Sequence, residues 1–62
     1  MSAADESVGE IAALYLGNIL YALETTAMTF DHDGKPDHAA FYRGIARKLA
    51  EARGREKAQG AP

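Results

Sequence analysis

The sequence contains no cysteine and no tryptophan, and only two of its 62 residues are proline. Without cysteine no disulfide can form, and the common zinc-finger ligand patterns are excluded as well. A chain of this length buries barely enough surface to fold alone, and small domains usually add disulfides, a metal ion or a partner subunit. We therefore expect residues 1–62 to form a single domain that depends on oligomerisation.

Long hydrophobic runs are also missing. The longest apolar stretch, from Ile11 to Leu23, is interrupted by Gly17 and Asn18 and is well short of the roughly 20 residues that span a bilayer. The residues after Met1 are acidic, unlike those that open a signal peptide. These features, with the absence of cysteine, predict a cytoplasmic protein without a membrane segment.

Charge is unevenly distributed along the chain. Residues 1–37 carry seven acidic side chains against one lysine, a net charge of −6. Residues 38–62 carry six basic side chains against two glutamates, a net charge of +4. The chain is thus acidic first and basic last, and the basic part is suited to pair with the acidic part of a neighbouring copy.

Apolar residues that recur at three- and four-residue steps predict an all-α fold, a two-helix antiparallel hairpin. The first helix is expected over residues 7–30. Ser7 and Glu10 form a capping-box pattern at its start, in which each side chain binds the backbone N–H of the other residue. Ser2, with Asp5 three residues later, is the alternative start. The second helix is expected over residues 38–55.

The segment between the two predicted helices has the composition of a turn. It covers residues 31–37, where Gly34 allows a positive φ and Pro36 disfavours a helical conformation at the residue before it. Asp37 is the expected N-cap of the second helix. Residues 56–62 are expected to form a flexible tail.

The first helix carries more apolar residues than the second helix can cover. The stripe of the second helix consists of Phe41, Tyr42, Ile45, Ala46, Leu49 and Ala52. The main stripe of the first helix consists of Val8, Ile11, Ala12, Tyr15, Ile19, Ala22, Leu23, Thr26 and Phe30. On its other side, five residues form what we call the outer strip: Leu14, Asn18, Tyr21, Thr25 and Met28. A helix that is apolar on most sides is normally buried, so we expect the outer strip to bind a partner.

Two details of the first helix bear on its assembly. Gly9, Ala13 and Gly17, four residues apart, would let another helix approach closely, and Asn18 could set the register of an apolar seam. The most economical assembly is a homodimer in which two hairpins form a four-helix bundle. In length and helix layout the chain resembles small homodimeric hairpin regulators that bind RNA. No residue motif accompanies this resemblance, so it implies a layout and no function.

Ligand-type side chains concentrate in the turn, where His32 and His38 are candidate metal ligands. Because such residues are usual in metal-free turns, we expect neither a metal nor another cofactor. An EF-hand is excluded, since a loop with Gly34 at its sixth position places Thr29 and Ala40 where acids are required. No nucleophile elbow, phosphate-binding glycine loop or inward Glu-x-x-His motif is present, which predicts a protein that is not an enzyme.

Three kinds of function fit this pattern. The leading prediction is a small non-enzymatic protein-binding module, such as a regulator, inhibitor or assembly factor, that acts through the outer strip as a homodimer or on a larger protein target. The alternative is a nucleic-acid-binding dimer, and its candidate contacts are Arg43, Arg47, Lys48 and Arg55. Glu51 interrupts that basic patch, and the overall acidity opposes generic binding to polyanions. A second alternative is a structural subunit of a larger assembly.

Overall fold

The structure, a computed structural model, describes residues 6–60. Three helices follow one another: α1 (Val8–Leu14), α2 (Leu16–His32) and α3 (Pro36–Gly60). No strand occurs within the described residues. The all-α prediction is confirmed, whereas the prediction of two helices is wrong, because the first of them consists of two separate helices.

The start of α1 is the predicted capping box. The Ser7 hydroxyl accepts the Glu10 backbone N–H at 3.0 Å, and the Ser7 backbone N–H donates to Glu10 Oε1 at 2.8 Å. Two of the N–H groups that a helix start leaves without partners are satisfied in this way. The sequence therefore located this helix start correctly.

The chain bends at Tyr15, between α1 and α2. Their axes differ by 81°, and the Tyr15 backbone lies outside the helical range at φ −105° and ψ 21°. The Tyr15 N–H still donates to the Ile11 carbonyl at 3.1 Å, and the Tyr15 carbonyl accepts from Ile19 at 2.9 Å. The first of these bonds ends α1 and the second begins α2, so neither joins the two helices across the bend. Apolar periodicity gave no sign of the bend, and the prediction of a continuous helix over 7–30 is wrong.

The connection between α2 and α3 is shorter than predicted. It comprises three residues, 33–35, rather than 31–37. The Lys35 N–H donates to the Phe30 carbonyl at 2.8 Å, and the Gly34 N–H donates to the Asp31 carbonyl at 3.1 Å. With Gly34 at φ 74°, this is the Schellman arrangement that ends many helices, and it requires a left-handed backbone that glycine adopts without strain.

Helix α3 starts earlier and ends later than predicted. Pro36 is its first residue, a position where the missing N–H has no helical partner to lose. Asp37 therefore lies inside the first turn, where the helix dipole still favours it, and its predicted role as N-cap is wrong. The expected tail is helical as far as Gly60, and its last residues, 61–62, lie outside the described part.

Helices α2 and α3 pack against each other next to the short turn. Phe30 and Tyr42 stack near the turn, and farther from it Leu16 and Leu49 line a common cleft. The molecule is flat, with extents of 44 × 30 × 14 Å. Its radius of gyration of 14.3 Å exceeds the value of about 11 Å expected for a compact chain of this length.

Substitution of Gly34 tests the turn. Gly34→Ala places a Cβ at a positive φ and should destabilise the fold by about 1 kcal/mol or more. Gly54→Ala is the matched control, because an added Cβ there meets nothing within 4 Å and alanine favours the helix interior by up to about 1 kcal/mol. Urea unfolding at one fixed protein concentration, followed by circular dichroism, measures both. Shifts of the same sign would contradict this account of the turn.

Candidate functional site

The contact between α2 and α3 buries very few side chains. Within residues 6–60 the buried ones are Ala27 on α2 and Ala39 on α3, at 0% and 1% exposure, and no larger side chain is fully buried. The small alanine side chains let the two helices approach closely. The larger apolar side chains consequently lie beside the contact, where they are open to solvent in part.

One side of the α2–α3 pair carries a row of aromatic rings. Phe30 of α2 stacks on Tyr42 of α3, with centroids 5.6 Å apart and 10° between the planes. Phe41 meets the edge of Tyr42 at 5.5 Å. Ile45 and Leu49 follow Tyr42 by three and seven residues, so at 100° per residue they lie on the same side of α3. The row of rings thus continues into aliphatic side chains.

The same side of α2 is apolar as well. Thr26 and Ile19 precede Phe30 by four and eleven residues, which places them on its side of the helix. Together these residues form what we call the apolar face: Ile19, Thr26, Phe30, Phe41, Tyr42, Ile45 and Leu49. All are half-buried except Phe41, which is 64% exposed. A broad apolar surface of the α2–α3 pair is therefore accessible.

The opposite side of the α2–α3 pair carries ion pairs. Arg43 of α3 donates from Nη1 to Asp31 Oδ2 at 2.8 Å and from Nη2 to Glu24 Oε2 at 3.2 Å. Its Nε–H lies 3.4 Å from both carboxylate oxygens of Glu24. Tyr42 and Arg43 are successive residues that both reach α2, so they flank the helix contact on opposite sides. One side is therefore apolar and the other ionic.

The two carboxylates also act on the guanidinium group. The hydrogen bond to Glu24, followed by the one to Asp31, raises the pKa of Arg43 above its ordinary value. While the carboxylates are charged, a raised pKa in the folded state stabilises the fold, and this contribution is lost as the pH rises through the raised pKa of the arginine. The ion pairs therefore do not depend on the arginine changing its charge near neutral pH.

The bend at Tyr15 divides the outer strip. Leu14 ends α1, whereas Asn18, Tyr21, Thr25 and Met28 lie on α2. All five are exposed. Tyr21 is the more exposed of the two large side chains that the outer strip has on α2, at 76%. Because the two helix axes differ by 81°, Leu14 does not extend the line of Tyr21 and Met28 as it would on one continuous helix.

The predicted stripe of small residues is divided in the same way. Gly9 and Ala13 of α1 line a cleft against Leu49 and Ala52 of α3, so they do lie beside another helix of the same chain. Gly17 lies on α2, and a Cβ added to it would meet nothing within 4 Å. The three residues do not share one surface.

Helix α1 turns its large apolar residues outward. Val8, Ile11 and Tyr15 were expected to face the second helix, but all three are exposed, Val8 to 85%. The bend places Gly9 and Ala13 of α1 across a cleft from α3 and leaves the bulky side chains of α1 exposed. No single helix among the described residues is long and apolar enough to cross a membrane; α1 and α2 meet that length and hydropathy only as a pair, across their 81° bend.

The basic residues of α3 differ in their surroundings. Arg43 is held by Glu24 and Asp31, which makes it a poor candidate for phosphate contact. Arg47, Lys48 and Arg55 are exposed and form no ion pair within residues 6–60. These three remain available for an external partner.

The two histidines have different neighbours. The His38 ring lies 5.0 Å from the Phe30 ring, and His32 lines a shallow depression with Thr25 and Met28. In the described part of the chain no three metal-ligating side chains converge. His32 and His38 thus have no third ligand among residues 6–60.

Sequence reasoning missed the apolar face as an open surface. Phe41 was assigned to the stripe that packs on the first helix, together with Tyr42. Two successive residues differ by 100° around the helix axis, so one narrow contact cannot bury both. The width of the stripe from Phe41 to Ala52 was the signal that part of it would stay uncovered.

No family model matches the sequence, and no curated protein or solved structure is significantly similar to it. Its function is therefore inferred from the chemistry of its surfaces.

Arg43→Met tests the ionic side. The substitution keeps much of the side-chain volume but leaves Glu24 and Asp31 without their common cation, so the thermal midpoint should fall, most clearly at low salt. Arg47→Met is the matched control and should leave the midpoint nearly unchanged, because Arg47 forms no ion pair in the described chain. Thermal melts at low and high salt measure the difference. Equal midpoints for the two variants would contradict a stabilising role for Arg43.

Proposed function

We propose that this chain is a small non-enzymatic protein-binding module that completes its core against other protein, as a homo-oligomer or on a larger target. The observation that carries the proposal is the open core. The contact between α2 and α3 buries only Ala27 and Ala39 in the described chain, and no large side chain is fully buried. Burial of apolar surface is the main favourable term in folding, so this pair has much to gain from a partner.

The exposed side chains are of the kind that protein partners cover. Large hydrophobic residues open to solvent occur on all three helices and at the bend between α1 and α2, and they are Val8, Ile11, Leu14, Tyr15, Tyr21, Met28 and Phe41. Tyrosine, phenylalanine and methionine are enriched at protein interfaces. The outer strip contributes Leu14, Tyr21 and Met28, and we retain it as a candidate surface for a larger protein target.

The finer arrangement that we propose is an antiparallel hairpin of α2 and α3. The order of their contacts supports it, since Phe30 lies beside Tyr42, Glu24 beside Arg43 and Leu16 near Leu49. Two such hairpins would give the four-helix bundle that buries helix stripes with short loops. Helix α1, which lies across a cleft from Leu49 and Ala52 of α3, would border that bundle.

Concentration dependence of stability tests the proposal. If association completes the core, the thermal midpoint should rise with protein concentration, because a tenfold increase stabilises a dimer by about 1.4 kcal/mol. Sedimentation equilibrium should also give a mass above the 6.6 kDa of one chain. A monomeric mass together with a cooperative melt whose midpoint is independent of concentration would contradict it.

Nucleic-acid binding is the second candidate, favoured by one observation. Arg47, Lys48 and Arg55 are exposed on α3 and unpaired within residues 6–60. Phosphate contacts through them would make affinity fall steeply as salt rises. Anisotropy titration of a labelled oligonucleotide at low and moderate salt measures this, with Arg47→Gln as the test variant and Arg43→Gln as the control that removes an internally paired charge. Absence of binding at low salt would exclude this function.

A further inference from the structure

We propose that Met28 and His32 form a binding site for a soft monovalent metal ion, Cu(I), for which Ag(I) is the air-stable analogue. The two residues stand four positions apart on α2, and both line the same shallow depression. This inference goes beyond the proposed function and does not depend on it, because it concerns two donor side chains and not the surface that a protein partner covers. The expectation of a metal-free turn considered the histidines without the methionine.

The helix brings the two donor groups together. Residues four apart on an α-helix face the same side, with about 5–6 Å between their Cβ atoms. Side chains also lean toward the helix N-terminus, which directs the His32 ring toward the turn that carries Met28. An ion held linearly between sulfur and nitrogen keeps these two atoms about 4 Å apart, given metal bonds of about 2.0 Å to nitrogen and 2.3 Å to sulfur. The two side chains can therefore meet at one ion without any change in the helix.

Both donors are open to an incoming ion. Met28 is 58% exposed. His32 is exposed as well and forms no ion pair within residues 6–60. His38 lies on α3 with its ring 5.0 Å from that of Phe30, and it does not line the depression. The site therefore uses His32 and not His38.

The chemistry of the donors selects a soft ion. Thioether sulfur favours Cu(I), and imidazole binds copper as well as zinc. The chain has no cysteine, so Met28 provides the sulfur donor of the described residues. Zinc usually takes at least three protein ligands and calcium six or more oxygen atoms, whereas no three His, Asp or Glu side chains converge within residues 6–60. A soft ion of low coordination number is the cation that suits this pair.

The charge at the end of α2 also favours a cation. His32 is the last residue of α2, and the C-terminal end of a helix carries partial negative charge. Asp33 lines the depression too, whereas no lysine or arginine of the described chain does. A monovalent cation between Met28 and His32 is therefore stabilised by the helix end and by one carboxylate, with no basic side chain in the depression to oppose it.

Calorimetric titration of the full chain with Ag(I) in chloride-free buffer tests the site. The wild-type chain should bind one ion at this site. Met28→Leu and His32→Gln should each weaken binding about a hundredfold or more, since loss of even an outer-shell partner lowers metal affinity about 10- to 100-fold. His38→Gln is the matched control and should bind like the wild type. Circular dichroism checks that the variants keep their helix content, and Cu(I) under nitrogen should give the same order of affinities.

Moving the methionine along α2 tests the spacing itself. Met28→Leu combined with Thr29→Met places the sulfur three residues before His32, still a neighbouring position on the helix surface, and should restore binding. Met28→Leu combined with Thr25→Met places the sulfur about 10 Å from His32 along the helix axis, and should not. Restoration by both variants, or by neither, would contradict a site that depends on the helical spacing.

Methionine methyl resonances locate the bound ion. The chain has two methionines, and addition of Ag(I) should shift the methyl signal of Met28 and leave that of Met1 in place. A shift of the Met1 signal alone, or wild-type affinity in Met28→Leu, would show that the ion binds elsewhere and overturn the inference. Zn(II) binding as tight as that of Ag(I) would also overturn it. None of these outcomes alters the oligomer mass, so they are distinguishable from failure of the proposed function.

Discussion

The close approach of α2 and α3 through Ala27 and Ala39 is the contact on which the remaining structure depends. Two alanines at a helix crossing bring the backbones together but contribute little apolar surface. No large side chain among the described residues is fully buried at this contact. The flanks differ in chemistry, since Tyr42 and its neighbours lie on one and Arg43 lies on the other. The α2–α3 pair is therefore apolar on one flank and ionic on the other.

The turn and the ion pairs hold this contact in register. The Schellman arrangement at Gly34 sets where α3 begins relative to the end of α2, and Arg43 joins two carboxylates that lie seven residues apart on α2. The turn hydrogen bonds and the ion pairs are both polar interactions at or near the surface, and surface ion pairs add modest stability. They specify an arrangement more than they stabilise it. The contact between α2 and α3 buries no large side chain among the described residues, and the proposed binding to protein would supply that burial.

Much of the secondary structure was predictable because it depends on local chemistry. The capping box of Ser7 and Glu10, the positive φ of Gly34 and the helical character of all three segments follow from residues within one helical turn of each other. The bend at Tyr15 was not predictable, because the apolar periodicity continues through it and no proline marks it. The early start of α3 at Pro36 competed with an equally reasonable N-cap at Asp37. At the start of α3 two local rules of similar strength pointed to different boundaries, whereas at Tyr15 no local rule marked a boundary.

By itself the sequence determined that this protein is helical, lacks covalent cross-links, separates its charge along the chain and has more apolar helix surface than one chain can cover. Those properties depend on composition and on spacing along each helix. Only the tertiary structure decided which surface remains open. The bend removed Leu14 from the outer strip, and the alanine contact turned the flank of Phe30, Phe41 and Ile45 outward. The excess of apolar surface is a property of residue counts, whereas its location depends on the relative orientation of helix axes, which periodicity within a single helix does not encode.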